Sequence, residues 1–175
     1  MKKTVLIYGL ISGVLAVAMM VVTLPFIYAK NLGTADTLGY TSMVLSALLV
    51  YFGIRSFRDN AGAGLLTFSK GFVVGVLITL VSTGLYMVAF HLMYFKFVPD
   101  FGETFAECMV ERARMAGADA QKITETAQQA EKLKQLYDHP ASNAAVTFAT
   151  TFPVGLAMSL VAAAILKRKE DKQQP

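Results

Sequence analysis

From Gly71 to Phe95 the chain reads GFVVGVLITLVSTGLYMVAFHLMYF, without a Lys, Arg, Asp or Glu. A helix rises about 1.5 Å per residue and the hydrocarbon layer of a bilayer is about 30 Å thick, so about 20 such residues cross it. Three other stretches share this character: Thr4–Ala29, Thr37–Ile54 and Ala141–Leu166. The sequence therefore predicts an all-α integral membrane protein, a four-helix bundle forming one membrane domain over residues 1–175. Its spans are placed at 4–29, 37–57, 70–95 and 141–166. Residues 96–140 form a helical extracytoplasmic segment between spans three and four, and 167–175 a cytoplasmic tail.

Composition supports lipid as the solvent. Apolar residues make up 55% of the chain and charged residues 16%, against about 25% charged in soluble domains. So little polar surface would not cover four apolar helices in water. The first run follows Lys2 and Lys3, as a signal peptide would. It is longer than the usual signal core of about 7–15 residues, however, and Ile27 stands where a small residue would be needed for cleavage after Ala29. A retained helix is expected. The single Cys108 rules out a disulfide within the chain and leaves a free thiol or a pair between chains.

The net charge of +4 is unevenly placed. Short basic clusters flank the apolar runs: Lys2 and Lys3; Arg55, Arg58 and Lys70; Lys167, Arg168, Lys169 and Lys172. No basic groove interleaved with aromatics appears, so nucleic acid is not an expected partner. Lys and Arg beside span ends collect on the cytoplasmic side. With the N-terminus inside, the inner segments hold these nine basic residues, whereas the outer turn between spans one and two holds only Lys30, with Asp36 opposite in sign. The long outer segment is nearly balanced, with six basic and eight acidic residues. Both termini are therefore expected in the cytoplasm.

The inner link carries the most distinctive polar sequence. Arg55 can extend span two past Ile54 by sending its guanidinium to the headgroups. Arg55 and Asp59 are spaced to pair on one helical face. Asn60, Gly62 and Gly64 favour a turn, and Leu65, Leu66 and Phe68 suggest a short interfacial helix before span three. Arg55, Arg58, Asp59 and Lys70 are candidates for contact with lipid phosphates or a partner; equally, the basic residues serve as inside anchors. In the outer segment, Phe101, Phe105, Met109 and Arg112 recur at four-residue intervals, with Cys108 beside them. Gly117 interrupts, Asp119 is placed to cap, and Ile123, Ala127, Ala130, Leu133 and Tyr137 continue at helical spacing. Two helices are predicted, either resting over the spans or binding another protein.

Within the spans, Gly9 and Gly13, Gly71 and Gly75, and Gly155, Ser159 and Ala163 form small stripes four residues apart. Lipid supplies no hydrophobic push between helices, so such stripes allow close approach, within the chain or in a homo-oligomer. The segments from Gly9 to Leu15 and from Gly71 to Leu77 share their two glycines and a following Val-Leu pair. This is compatible with tandem helical hairpins and with chance similarity between apolar runs. Pro25 and Pro153 each remove a backbone donor inside a span.

Little chemistry accompanies these spans. His91 is the one histidine within them, close to the outer end beside Tyr94 and Phe95. It serves as a polar site or as an interfacial packing group. His139 has no partner ligands at metal-site spacing, and no hydrolase, metalloprotease or phosphate-loop motif is present. No catalytic residue, metal or cofactor is predicted.

The stretch Gly53-Ile54-Arg55-Ser56-Phe57-Arg58-Asp59-Asn60, followed by Phe68, Gly71 and Gly75, and the ending Leu166-Lys167-Arg168 resemble domain-of-unknown-function family 4199, small four-span membrane proteins of bacteria. The resemblance covers nearly the whole chain. It implies a bacterial cytoplasmic-membrane location and transfers no role to any residue. The Ala61–Gly64 turn is less polar than this group suggests.

Three functions remain open. The first is a noncatalytic accessory, scaffold or envelope-associated component, with membrane lipids and a homo-oligomer or membrane-protein partner. The second is a small oligomeric transporter or channel, motivated by the hairpins, the two prolines and the hydroxyls of Thr79, Ser82 and Thr83. The third is a membrane enzyme acting on lipid or envelope substrates. A topology reporter fused after Pro175 is expected to read as cytoplasmic; a periplasmic signal would reverse the orientation.

Overall fold

A computed structural model describes residues 1–62 and 64–168. Ala63 and residues 169–175, which include the predicted tail cations Lys169 and Lys172, lie outside the described residues. The fold is all-α. Four long apolar helices span the membrane: α1 (Lys2–Tyr28), α2 (Leu32–Ala61), α3 (Phe68–Leu92) and α6 (Pro140–Leu166). Two shorter helices outside the membrane, α4 (Phe101–Met115) and α5 (Ala120–Asp138), lie between the third and fourth spans. A π-helical turn, Met93–Phe97, prolongs α3, closed by Val98 N–H donating to Met93 O at 2.9 Å. The helices overrun the apolar stretches because a helix need not stop where the hydrocarbon does. Pro25 and Pro153 each lie inside a helix that continues on both sides.

The connections are short and self-capped. At the end of α1, Asn31 N–H reaches Phe26 O at 2.9 Å and Lys30 N–H reaches Ile27 O at 3.0 Å, with Lys30 at φ 53°. This is a Schellman closure built on a lysine in the left-handed region. Asn31 Oδ1 then accepts from Thr34 N–H at 3.3 Å and caps α2. The same closure ends α4, where Gly117 takes φ 72° without a Cβ penalty. The Asp119 side chain accepts from Lys122 N–H at 2.7 Å and starts α5. Between α5 and α6 only His139 intervenes, and Pro140 opens the last span where its missing donor costs nothing.

The chain packs as two compact units, with each long helix contributing to both. Among the described residues the first comprises Met1–Ala16, Ser42–Tyr86 and the stretch from Ala149 to Arg168. Its apolar core is Val5, Val50, Ile54, Leu66, Val74, Ile78, Ala162 and Leu166. Large aliphatic groups also point outward, including Val14 at 59% and Ile165 at 65% exposure. Small polar groups are instead buried: Ser12, Thr79 and Ser159. That inversion fits a lipid solvent, in which apolar exposure costs nothing and hydroxyls find partners between helices.

Helix α3 meets three others in this unit. A methyl placed on Gly75 would come within 2.7 Å of Ser159 Oγ on α6 and 2.9 Å of Ile54 Cδ1 on α2. One on Gly9 would reach 2.7 Å from Val81 Cβ, one on Gly13 2.8 Å from Leu85 Cδ2, and one on Gly71 3.3 Å from Ala163 Cβ. Ser82 Oγ donates to Ser12 Oγ at 3.2 Å, and Ser159 Oγ to Gly155 O at 2.7 Å.

The second unit, Val17–Thr41 with Met87–Phe148, contains the α4–α5 hairpin. Its centre is aromatic: the Phe90 ring lies 5.9 Å from Phe101 and 5.8 Å from Tyr137. Tyr94 Oη donates to Asp138 Oδ1 at 2.6 Å.

One paired substitution tests the close approach. A methyl on Gly155 would overlap the Thr79 side chain, whereas one on Gly84 meets nothing within 4 Å. Gly155→Ala is expected to destabilise by about 1–3 kcal/mol. Gly84→Ala is expected to be neutral or to stabilise by up to about 1 kcal/mol through helix propensity. Thermal unfolding in one detergent compares them; equal midpoints would remove the packing argument.

Candidate functional site

Polar groups gather at two places, one in each unit. In the first unit the link between α2 and α3 folds back on itself. Gly62 and Gly64 N–H groups both donate to Arg58 O at 3.1 Å, and Leu65 N–H donates to Gly62 O at 2.8 Å. A Cβ on Gly62 would strike the Leu65 carbonyl, so glycine is required there. The chain then pairs with its own far end. Leu66 N–H donates to Arg168 O at 2.9 Å, and Arg168 N–H to Leu66 O at 2.8 Å, an antiparallel bridge. The expected interfacial helix over Leu65 and Leu66 is therefore absent. Leu66 spends its backbone groups on residue 168 and buries its side chain, 2% exposed, in the core. Thr67 Oγ1 lies 3.4 Å from Lys70 N and caps α3, which begins at Phe68.

Arg55, Arg58 and Asp59 stand at the end of α2. Arg58 Nε donates to Asp59 Oδ1 at 2.8 Å, and Arg55 Nε lies 3.7 Å from Asp59 Oδ2. One carboxylate thus answers two guanidiniums. Lys70 is exposed in the first turn of α3 with no carboxylate partner among the described residues. His91 belongs to the other unit, so these five residues form no single centre. Its ring is 4.7 Å from that of Phe95, and its Nδ1 is buried without a hydrogen-bond partner among the described residues.

In the second unit α4 is strapped to the turn between α1 and α2. Arg112 pairs with Asp36, and Lys30 Nζ lies 3.1 Å from Glu107 Oε2. Tyr28 Oη donates to Asp100 Oδ1 at 3.0 Å. Leu32 and Ala35, at the start of α2, are 3% and 4% exposed. Cys108 is buried, its Sγ 3.7 Å from Ile27 O; burial pushes its thiol pKa up. Across the hairpin, Lys134 Nζ donates to Glu103 Oε1 at 3.2 Å, and that carboxylate raises the lysine pKa. A shallow cleft of about 360 Å³ between α4 and α5 is lined by Lys30, Glu107, Glu111, Arg114 and Glu131. Both of its cations already pair within it, Lys30 with Glu107 and Arg114 with Glu111.

The sequence places Asn143 near one edge of the last span and gives it no role. It is fully buried, donating from Nδ2 to Tyr137 O at 3.0 Å. With Ser142 Oγ donating to Leu136 O at 2.6 Å, it covers the last carbonyls of α5 from the first turn of α6. The run Pro140-Ala141-Ser142-Asn143 at the start of the last span was the available signal. Among the described residues no group of three or more metal-ligating side chains occurs.

A family model described as "Protein of unknown function (DUF4199)" matches residues 7–168. The chain belongs to that family. The match runs through all four spans, the α2–α3 link and the α4–α5 hairpin, and identifies a small bacterial multi-span membrane protein. Neither the curated proteins nor the solved structures return a match to it.

The strap is testable through Cys108. A thiol must ionise to react with maleimide, so its raised pKa and burial keep labelling slow near neutral pH; the rate climbs only above the ordinary thiol range. Asp36→Arg, which breaks the pair and leaves Arg112 beside the thiol, should speed labelling up to about fivefold, the size of an exposed ion pair. Combining it with Arg112→Asp should restore the slow rate. Identical rates in all three proteins would dissociate the ion pair from the closure.

Proposed function

We propose that the chain is a noncatalytic accessory or scaffold component of the bacterial cytoplasmic membrane. In this reading both termini are cytoplasmic, the spans lie at 4–29, 37–57, 70–95 and 141–166, residues 96–140 stand outside and 167–175 inside. Gly9, Gly13, Gly71, Gly75, Gly155 and Ser159 serve helix packing. Arg55, Arg58, Asp59 and Lys70 anchor the inner end, and His91 packs at the outer interface.

The observation that carries this reading is the fixed hairpin. Helices α4 and α5 are held by the Arg112–Asp36 and Lys30–Glu107 pairs, the Tyr94–Asp138 bond and the Phe90, Phe101, Tyr137 cluster. Helix α5 buries only Ala130 and leaves Gln128, Gln129, Lys132 and Gln135 exposed. A helix held rigidly with one free side suits presentation to another membrane protein. The transporter reading has less support. In the first unit the hydroxyls lie between tightly apposed helices: Thr79 Oγ1 is 3.5 Å from Ser159 Oγ, with both residues buried.

A photo-crosslinking residue at Gln128, used in cells, is expected to capture one defined membrane protein, and capture should fail when the same residue replaces the buried Ala130. A monodisperse protein that captures nothing from Gln128 and moves solutes across liposome membranes would overturn the proposal in favour of transport.

A further inference from the structure

The first unit has an unbalanced charge ledger. Among its described residues there are seven basic side chains, Lys2, Lys3, Arg55, Arg58, Lys70, Lys167 and Arg168, and one acidic side chain, Asp59. Asp59 is occupied by Arg55 and Arg58. Among the described residues, Lys70, Lys167 and Arg168, all exposed, are the cations without a carboxylate partner at their end of α3 and α6.

The fold brings these three together. The bridge between Leu66 and Arg168 fixes the chain end against the link. Gly71 packs on both Leu66 and Ala163, placing the start of α3 beside the last turn of α6, where Lys167 follows one turn after Ala163. Like charges gathered in this way repel one another. In a medium of reduced dielectric beside a membrane the repulsion is stronger than in water. The backbone bridge nevertheless holds them at one place.

We propose that Lys70, Lys167 and Arg168, gathered by the Leu66–Arg168 bridge, form a seat for the phosphate of an anionic phospholipid headgroup. Two features favour a lipid over free phosphate. The seat lies at the ends of two membrane-spanning helices. Its neighbours in sequence are apolar and outward-facing: Phe68, 41% exposed and stacked on Phe72 at 6.1 Å, and Ile165 at 65%. A ligand whose phosphate is joined to acyl chains satisfies both. The guanidiniums of Arg55 and Arg58, neutralised in part by Asp59, are secondary. This proposal is independent of what the outer hairpin binds and of which leaflet the link faces.

The full chain, purified in a mild detergent, is titrated with phosphatidylglycerol and phosphatidylcholine, and retained lipid is counted by native mass spectrometry. Each cation near a membrane surface contributes about fivefold in affinity for anionic lipid. The wild type should retain phosphatidylglycerol preferentially. The triple variant Lys70→Gln/Lys167→Gln/Arg168→Gln should lose at least about tenfold in that preference. Arg58→Gln/Asp59→Asn, which removes that ion pair and leaves the net charge unchanged, should stay within about twofold of wild type. The bridge uses backbone atoms, so the triple variant leaves it intact; single Lys70→Gln, with a loss of about fivefold, serves if the triple does not fold. Equal retention of the two lipids, or a loss in the Arg58/Asp59 variant as large as in the triple, would overturn the seat. Displacement of phosphatidylglycerol by excess inorganic phosphate would show that the site recognises the free anion instead.

Discussion

The close approach of α3 to its neighbours is the constraint on which the membrane part depends. In water, apolar side chains would be driven together at about 25 cal/mol per Å². In lipid that drive is absent, because tails solvate Val14 and Ile165 as well as another helix would. What remains is contact area and hydrogen bonding, and both need backbones near one another. Gly71, Gly75 and Thr79 on α3 face Ala163, Ser159 and Gly155 on α6, and the missing Cβ atoms make that spacing accessible. The buried hydroxyls of Ser12, Thr79 and Ser159 follow from the same requirement: each sits where a small donor reaches a partner at once.

The second unit is held by a different balance. Its aromatic cluster of Phe90, Tyr94, Phe101 and Tyr137 gives area, while Asp36, Lys30, Glu107 and Arg112 give register. Exposed ion pairs contribute little energy each. They nevertheless fix which turn of α4 meets the α1–α2 connection, since a slip of one turn would separate Arg112 from Asp36 and Lys30 from Glu107 together.

Much of this was legible in the sequence because lipid imposes a simple rule. Uncharged runs near 20 residues reveal spans without any knowledge of packing, and Gly117 followed by Asp119 announces a helix end and a helix start. The interfacial helix expected over Leu65 and Leu66 failed for an equally physical reason. Its residues were read for local amphipathicity, whereas their backbone groups are satisfied by Arg168, about a hundred residues away, and no local pattern encodes that pairing. Arg55, Arg58 and Lys70 looked like one basic cluster; the structure divides them by the reach of Asp59. Asn143 stayed hidden because its work, covering the carbonyls that end α5, depends on a corner only one residue long.

The pairing of Leu66 with Arg168 also sets an order of events during biosynthesis. While α1, α2 and α3 are threaded into the bilayer, the loop between the second and third of them has no strand to meet. Its partner is translated after the final helix. Closure of that end therefore waits until α6 has left the ribosome. A truncated product lacking α6 would expose a leucine and two unsatisfied peptide groups at the membrane edge, the kind of defect that quality-control proteases recognise.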